Sequence, residues 1–363
     1  MPDKLLDVRA LTGSRELIAY HDGGLFPVLT TTPSGTVVAV LRGGAGHLGV
    51  FGRIEVIRSL DAGRTWSPPN VVADSDRDDR NPAFGTSNDG TLILAYHRQC
   101  CYDEAGTYVG NQDDEAARVE IVVTRSHDDG LSWEKPALVS IDPLQTGSPF
   151  GKIVSLDDGT LLMPIYIAGS YFVRSRDDGA TWAEPTLIAA GMNETALLVL
   201  PNGDILAVMR SRGLSSAHSR DGGRTWSDPV QVTEAGQHPA DLIQLSNGDI
   251  LLTYGNRNPP YRIEGRISRD GGRSWLDSLL TFSGHLYGYN AESPRPSDLG
   301  YPSSTLIQQG SAAGQGVTMY YYNPSIREEV NLADQEAEAR YLAQGYRAIA
   351  VTWREAELIT ATG

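Results

Sequence analysis

The chain has 363 residues, of which 40% are apolar and 21% charged, fractions typical of a globular protein. Its formal net charge of −15 disfavours general nucleic-acid binding, because an acidic surface repels phosphate backbones. No run approaches the ~18 apolar residues of a membrane-spanning helix, and the opening MPDKLLDVRALTG has no run long enough for a signal peptide. We therefore expect no nucleic-acid or membrane partner and a cytoplasmic location.

The cysteine content argues against a disulfide-based fold. The two cysteines, Cys100 and Cys101, are adjacent, which excludes a disulfide framework and predicts free thiols. No Cys/His spacing suggests a zinc site, and no glycine-rich loop has the setting of a phosphate-binding loop. Nothing in the sequence requires a metal or another cofactor.

One motif, Ser-x-Asp-x-Gly-x-(Thr/Ser)-Trp, recurs five times, and five of the six tryptophans close a copy of it. The copies begin at Ser59, Ser126, Ser175, Ser219 and Ser268. We call this motif the Asp box. Its aspartate can accept hydrogen bonds from nearby backbone N–H groups, and its glycine supplies the backbone freedom of a tight turn. We therefore interpret the box aspartates as structural, not as catalytic acids: Asp61, Asp128, Asp177, Asp221 and Asp270.

A second pattern alternates with the Asp boxes: an apolar strand, a polar turn with glycine, and another apolar strand. Its six copies begin at Phe26, Asn81, Ser148, Asn193, His238 and Tyr301. Four strands per unit, with a unit every ~45–70 residues, are typical of propeller blades. The sequence therefore predicts an all-β fold, a six-bladed β-propeller with five Asp-box turns, formed by residues 1–363 as one domain.

The last hairpin is not followed by an Asp box, so its blade must be completed from the chain ends. We expect the missing strands to come from RAIAVTWREAEL near the C-terminus and from LDVRAL or RELIAY near the N-terminus. Residues 323–346 are polar and rich in Ala and Glu, which predicts a short helix or loop inserted before the closing strand.

The starts of the inner strands converge on the entrance of a propeller channel, where ligands are usually bound. These positions carry polar and ionisable residues that a purely structural ring would not require, which makes the entrance the default site hypothesis. The residues there are Arg80, Asn81, Lys152, Asn193, Glu194, His238, Asp241 and Tyr301.

Residues 20–322 resemble the sialidase (neuraminidase) family, whose catalytic segments can be matched one by one. NETALLVLPNGDILAVMR is similar to the segment that holds a strand-start glutamate, here Glu194, and an arginine, here Arg210. Arg262, six residues before Ser268, matches a further carboxylate-binding arginine of the family. Arg257, in the same segment, is the alternative residue for this role. DLGYPSSTLIQQ resembles the segment of the tyrosine nucleophile, here Tyr301.

The resemblance implies an exo-acting glycoside hydrolase, one that removes a terminal acidic sugar such as sialic acid from a saccharide. Tyrosine has a pKa near 10, so Tyr301 would need Glu194 to take its proton before it could attack. Arg210 and Arg262 would hold the substrate carboxylate by paired hydrogen bonds. The expected partner is therefore a carbohydrate.

The sequence also departs from the family pattern. Leu25-Phe26-Pro27 stands where the family has Arg-Ile-Pro, and VTMYYYN lacks the acidic partner of that arginine. The loop RGGAGHLGVFGR holds His47 but no aspartate, so we predict His47 as the acid/base, since histidine exchanges protons near neutral pH. The remaining predicted substrate contacts are Arg42, Arg80, Arg257, His238 and Asp241.

Three other functions stay open at this stage. The first is a glycosidase of different specificity in which carboxylates such as Glu194 and Asp241 act and Tyr301 only positions the sugar. The second is a propeller that binds carbohydrate without catalysis, which the loss of the first arginine favours. The third is a protein-binding scaffold, which has no need of an ion pair between Glu194 and Arg210 at the axis.

Overall fold

The structure, a computed structural model, describes residues 5–103, 106, 108, 119–144, 146–286, 298–323 and 345–363. These residues are almost entirely β-strand and turn. Most of the predicted insertion, residues 324–344, lies outside the described residues. Within the described ranges, none of the helices has the length and apolar character needed to cross a membrane.

The strands of the first half, numbered in chain order, are β1 (Leu5–Asp7), β2 (Arg15–His21), β3 (Leu25–Thr31), β4 (Val37–Gly43), β5 (Arg53–Ser59), β6 (Asn70–Ala73), β7 (Asp78–Thr86), β8 (Leu92–Gln99), β9 (Val119–Ser126), β10 (Ala137–Val139), β11 (Ser148–Pro149), β12 (Gly151–Ser155) and β13 (Leu161–Tyr166). Those of the second half are β14 (Gly169–Ser175), β15 (Ala183–Ala190), β16 (Thr195–Val199), β17 (Ile205–Arg210), β18 (Leu214–Ser219), β19 (Val230–Gln231), β20 (Gln237–Gln244), β21 (Ile250–Asn256), β22 (Arg262–Ser268), β23 (Leu279–Thr281), β24 (Asp298–Leu306), β25 (Gln315–Asn323) and β26 (Arg347–Arg354). Within the described part of the chain, the helices are two 3-10 turns, Val8–Ala10 and Gly310–Ala312, and α1 (Glu355–Thr362).

The described strands form antiparallel sheets around a common centre. Three sheets have four strands, in the orders β3-β4-β5-β6, β16-β17-β18-β19 and β24-β25-β26-β2. A fourth has the order β20-β21-β22-β23-β1. The last has nine strands and consists of two antiparallel runs, β7 to β10 and β11 to β15, joined by parallel pairing of β7 with β12.

Six strands contact one another in a closed cycle, from β3 through β7, β12, β16, β20 and β24 back to β3. We call these six the inner strands. Apolar clusters fill the space between neighbouring sheets; one joins Val40 and Ile54 to Phe84 and Leu94. Strands buried on both faces, such as β4, are therefore continuously apolar for most of their length. The arrangement is all-β and propeller-like.

The two chain ends meet in one sheet, as the sequence predicts. Strand β26 pairs with β25 on one side and, on the other, with β2, which carries RELIAY. LDVRAL instead supplies β1, which pairs in parallel with β23. The closing strand ends earlier than expected, because EAEL begins helix α1, where glutamates in the first turn face the positive end of the helix dipole.

All five Asp boxes form the same turn. In the box that begins at Ser268, Asp270 accepts hydrogen bonds from Ser268 Oγ (2.9 Å), the Ser274 N–H (2.8 Å) and Ser274 Oγ (2.6 Å). The Ser268 hydroxyl in turn accepts the Gly272 N–H at 2.8 Å. The other four boxes repeat this pattern. The structural interpretation of the five aspartates is confirmed.

The Asp-box turns should stabilise the fold in a pH-dependent way. Burial would raise the pKa of Asp270, but hydrogen bonds from Ser274, Ser268 and Arg273 outweigh it and lower the pKa to about 2. This contribution is complete above the unfolded pKa of about 4 and is lost as the pH falls towards 2. Asp270→Ala should cost about 1 kcal/mol in urea unfolding at pH 7, a low value because the turn is exposed.

At pH 2 the difference between Asp270→Ala and the wild type should have largely disappeared. Asp277→Ala, which removes an exposed aspartate of the same sheet region, is the matched control and should leave the unfolding free energy unchanged. Equal losses in the two variants would contradict the role given to the box.

Candidate functional site

Four of the inner strands begin with a proline-containing bulge at the same end of the ring. The strand pairing skips a residue pair at Leu25/Val28, Arg80/Ala83, Gln237/Ala240 and Gly300/Ser303. Proline cannot donate a ladder hydrogen bond, so it is accommodated in strands at such bulges. The sequence-predicted site residues therefore lie where the regular pairing is interrupted and side chains are redirected.

Three residues at these bulges have left-handed backbone conformations although each precedes a proline: Phe26 (φ 54°), Asn81 (φ 47°) and Tyr301 (φ 50°). A residue before proline strongly prefers the extended region, and left-handed non-glycine residues cost of order 1–3 kcal/mol each. All three line one small cavity on the axis of the ring. Strain concentrated at one cavity is typical of functional sites.

Tyr301, Glu194 and Arg210 form one hydrogen-bonded cluster at this cavity. The Tyr301 hydroxyl donates to Glu194 Oε1 at 2.6 Å, and Arg210 Nη1 donates to Glu194 Oε2 at 2.5 Å. Arg210 Nη1 also lies 3.5 Å from the Tyr301 hydroxyl. Tyr301 and Glu194 are buried, and burial together with the Glu194 charge raises the pKa of Tyr301 well above its usual value. The phenol is therefore protonated at neutral pH.

Arg257, not Arg262, is the second arginine beside the tyrosine. The Arg257 guanidinium lies over the Tyr301 ring, 5.9 Å from its centroid. The Nε atoms of both arginines lack a hydrogen-bond partner among the described residues, but Arg262 Nη2 lies 3.3 Å from the buried carboxylate of Glu264. Since an unpaired guanidinium can accept an anionic ligand and a paired one already has its counterion, the geometry favours the alternative assignment to Arg257.

Arg80 provides a further cation beside Phe26, one of the residues that line the cavity. Its guanidinium lies over the Phe26 ring, 5.5 Å from the centroid, and its Nε has no hydrogen-bond partner among the residues that the structure describes. The nearest acidic atom described is Asp78 Oδ2 at 4.0 Å. Arg80 is therefore placed to contribute positive charge near Leu25-Phe26-Pro27, where Leu25 stands in place of the family's first arginine.

His238 lies between the arginines as a neutral side chain. Burial, followed by the charges of Arg210 and Arg257, lowers the pKa of His238 to about 3. Its Nδ1 is buried without a partner. A neutral imidazole with an unpaired ring nitrogen can form a hydrogen bond with a ligand but cannot add a positive charge at neutral pH.

The structure gives Arg42 a different place from the one predicted. The side chain is fully buried, forms an ion pair with Asp78, and donates to the carbonyl oxygens of Gly46 (2.9 Å), Asp79 (3.0 Å) and Gly49 (3.3 Å). Its donors are thus used inside the protein. Arg42 holds the loop between β4 and β5 and is not free to bind a substrate.

Asp241 is also used inside the protein. Its carboxylate receives Lys152 Nζ at 2.9 Å and the Ser304 N–H at 2.8 Å. Lys152 also donates to the carbonyl oxygens of Leu242 (3.2 Å) and Ser304 (2.6 Å). The carboxylate borders the axial cavity, but this pair ties three inner strands together across the axis.

His47 reaches the site from the loop after β4, and its partner was not predicted. Its Nδ1 lies 3.2 Å from Asp298 Oδ2, and its ring packs edge-on against Phe26 at a centroid distance of 5.1 Å. Phe26 in turn packs against Tyr301 at 4.8 Å. Asp298 lies on the same strand as Tyr301, three residues earlier. Its place in DLGY, beside the predicted nucleophile, is the sequence signal that could have marked it as a site residue.

No role was predicted from the sequence for the aromatic side chains that surround Tyr301. Phe150 and Tyr321 lie 5.8 Å from the Tyr301 ring, and Tyr346 lies 6.0 Å from that of Tyr321. Tyr166 accepts a hydrogen bond from Asn81 Nδ2 at 2.7 Å. Burial, with a smaller effect of Glu194, raises the pKa of Tyr166 to about 12, so its hydroxyl stays protonated. No group of three metal-ligating side chains occurs among the residues that the structure describes.

The fold and the site define a protein of sialidase-like architecture built from BNR repeats. The chain belongs to the BNR repeat-like domain family, whose sequence profile matches residues 52–313.

Solved structures similar to this chain share its fold at low sequence identity. A protein of unknown function from Dyadobacter fermentans has a TM-score of 0.73 at 20% identity, covering 95% of this chain and 100% of that one. The intramolecular trans-sialidase from Ruminococcus gnavus, solved with oseltamivir carboxylate, has a TM-score of 0.64 at 15% identity, with 96% and 99% covered. A Trypanosoma rangeli sialidase, solved as a covalent intermediate with 2,3-difluorosialic acid, has a TM-score of 0.63 at 15% identity, with 96% and 60% covered.

The structural role of Arg42 leads to a prediction about stability. Arg42→Lys should lower the unfolding free energy by about 3 kcal/mol, because the shorter ammonium leaves Asp78 and the loop carbonyl groups incompletely paired in a buried place. Arg77→Lys, at a side chain that is 49% exposed, is the control and should have no effect. Denaturant unfolding of both variants measures the difference. A stable Arg42→Lys variant with weakened ligand binding would instead support the predicted substrate contact.

Proposed function

We propose that this protein is a retaining glycoside hydrolase that removes a terminal acidic sugar, with sialic acid as the first substrate to test. The observation that carries the proposal is the Tyr301–Glu194–Arg210 cluster, in which a buried phenol donates to a carboxylate beside unpaired guanidinium groups. A tyrosine needs a base in hydrogen-bond contact to become a nucleophile, and Glu194 is in that position.

In the first step, Tyr301 Oη attacks the anomeric carbon while its proton passes to Glu194 Oε1. The bond from the anomeric carbon to the leaving oxygen breaks, and His47 supplies the proton that this oxygen needs. A neutral phenol avoids the like-charge repulsion that a carboxylate nucleophile would meet beside an anionic sugar. Before this step Glu194 is an anion, and Arg210, 2.5 Å away, balances its negative charge.

In the second step, water attacks the anomeric carbon and gives its proton to His47. The bond to Tyr301 breaks, and Glu194 returns the proton to the phenolic oxygen. The enzyme is thereby restored, and two displacements at one carbon retain the stereochemistry. We assign Arg257, together with the part of the Arg210 guanidinium that is not bonded to Glu194, to the substrate carboxylate, and Arg80 to a further anionic or polar group of the sugar.

The alternative with two catalytic carboxylates is less well supported. Asp241 is fully buried, and its oxygens already accept from Lys152 and Ser304. A carboxylate held by an ammonium group at 2.9 Å is poorly placed to attack a sugar or to exchange protons with it. Binding without catalysis remains the second candidate, since Leu25 occupies the position of one family arginine.

We also propose that the ring has six blades. The nine-stranded sheet would then count as two blades, the antiparallel runs of β7 to β10 and of β11 to β15, joined by the parallel contact of β7 and β12. The cycle of six inner strands supports this count.

Hydrolysis of 4-methylumbelliferyl sialoside, compared with aryl glycosides of neutral and uronic sugars, tests the proposal. Tyr301→Phe and Glu194→Gln should each lower kcat by about 10²–10⁴-fold on the substrate that the wild type cleaves, because each removes one half of the nucleophile–base pair. Circular dichroism and the unfolding midpoint check that both variants fold.

Tyr20→Phe is the matched control. Tyr20 also donates a short hydrogen bond to a buried carboxylate, Glu55, at 2.5 Å, but it lies on β2 and not among the cavity residues. Its activity should equal that of the wild type. Full activity of Tyr301→Phe would rule out the tyrosine nucleophile, and wild-type binding of a sialoside without turnover would favour the second candidate.

A further inference from the structure

His47 and Asp298 form a pair at the mouth of the site, although 251 positions separate them in the chain. The loop between β4 and β5 carries the histidine, and the first residue of β24 is the aspartate. His47 Nδ1 and Asp298 Oδ2 lie 3.2 Å apart. About 44% of the His47 side chain is exposed, so one edge of the imidazole remains accessible.

Two tyrosines hold the aspartate from the protein side. The Tyr346 hydroxyl donates to Asp298 Oδ2 at 2.6 Å, and the Tyr321 hydroxyl donates to Oδ1 at 3.2 Å. Both tyrosines are buried. Burial would raise the pKa of Asp298, but the hydrogen bonds from His47 and Tyr346 and the charge of Arg257 together lower it, so the side chain is an ionised carboxylate at neutral pH.

The ionised carboxylate determines which tautomer the imidazole adopts. A carboxylate can only accept hydrogen bonds, so His47 Nδ1 must be the donor. When His47 is neutral, the lone pair is therefore on Nε2; when it is protonated, Nε2 carries the second proton. Among the described residues, no group is hydrogen-bonded to Nε2. Phe26, which contacts both rings, places the imidazole on the side of Tyr301.

We propose that Asp298 is a positioning residue that, held by Tyr321 and Tyr346, fixes His47 so that Nε2 is the atom that exchanges protons with the leaving oxygen and then with water. This inference rests on the proposed hydrolase function. The other charged groups that face the pair are Arg257 near Asp298, Arg42 near Tyr346 and Arg80 on the Phe26 ring. All three are cations, and Asp298 is the anionic partner of His47.

The kinetic test compares a poor leaving group with a good one. For 3′-sialyllactose, whose leaving oxygen needs a proton, Asp298→Asn should lower kcat/KM by about 10²-fold, approaching the loss in His47→Gln. For 4-nitrophenyl sialoside, whose leaving group departs without a proton, the loss should be less than about tenfold.

Glu134→Gln is the matched control, because Glu134 pairs with His127 at 3.1 Å on an exposed surface. It should not change the leaving-group dependence. Equal losses on both substrates in Asp298→Asn would overturn the inference and indicate a structural role only.

A second measurement does not depend on activity. Long-range ¹H–¹⁵N NMR spectra, with the His47 signals assigned through His47→Gln, should show the proton on Nδ1 in the wild type and a shift towards Nε2 protonation in Asp298→Asn. If the neutral form of His47 in the wild type carries its proton on Nε2 and not on Nδ1, that result alone would overturn the inference. If the wild type cleaves no glycoside, the proposed function fails, and the tautomer still decides whether Asp298 positions His47.

Discussion

The hydrogen bond between Tyr301 and Glu194 is the interaction around which the centre of the molecule is arranged. It joins the start of β24 to the residue before β16, two inner strands of different sheets. Tyr301 can make it only from a left-handed backbone conformation before a proline, a conformation that the chain does not adopt without support. That support is the ring packing of Phe26, Phe150 and Tyr321 around the phenol.

The charge distribution of the site is opposite to that of the chain. The protein has a formal net charge of −15, yet Arg210 and Arg257 lie beside Tyr301, and Arg80 lies over the Phe26 ring. Long-range attraction of an anion to this protein is therefore weak, and binding must come from contacts shorter than the Debye length of about 8 Å at physiological salt. Short, directional pairing with guanidinium groups suits a carboxylate in a confined place.

Much of the fold could be predicted because its signals are local. Each Asp box contains its own donors and acceptors within six residues, so sequence spacing alone identifies the turn. The closure by β2 and β26 also followed, since a hairpin without a box needs partners. Helix α1 was missed because the strand pattern of RAIAVTW runs directly into EAEL, where helix propensity takes over.

The site was harder to predict because its contacts are long-range. Arg42 and Arg80 both looked like free cations, and only the positions of Asp78 and the loop carbonyl groups separate the buried structural one from the unpaired one. Arg257 and Arg262 lie five residues apart, and only Glu264 distinguishes them. The contact between Asp298 and His47 could not be predicted from the sequence, because 251 positions separate the two residues. One lies in a loop and the other at the start of a strand, so no strand pairing brings them together in a predictable register.

The central claim is that Tyr301 becomes covalently bonded to the sugar, and trapping with 2,3-difluorosialic acid tests it most directly. Attack of Tyr301 Oη at the anomeric carbon would release the fluoride bound there, and the remaining fluorine would slow hydrolysis of the tyrosyl–sugar bond. Peptide mass spectrometry should then find one fluorinated sugar on Tyr301, and no label in Glu194→Gln over the same time. A label on a carboxylate or on His47, or no label on a protein that cleaves sialosides, would contradict the account.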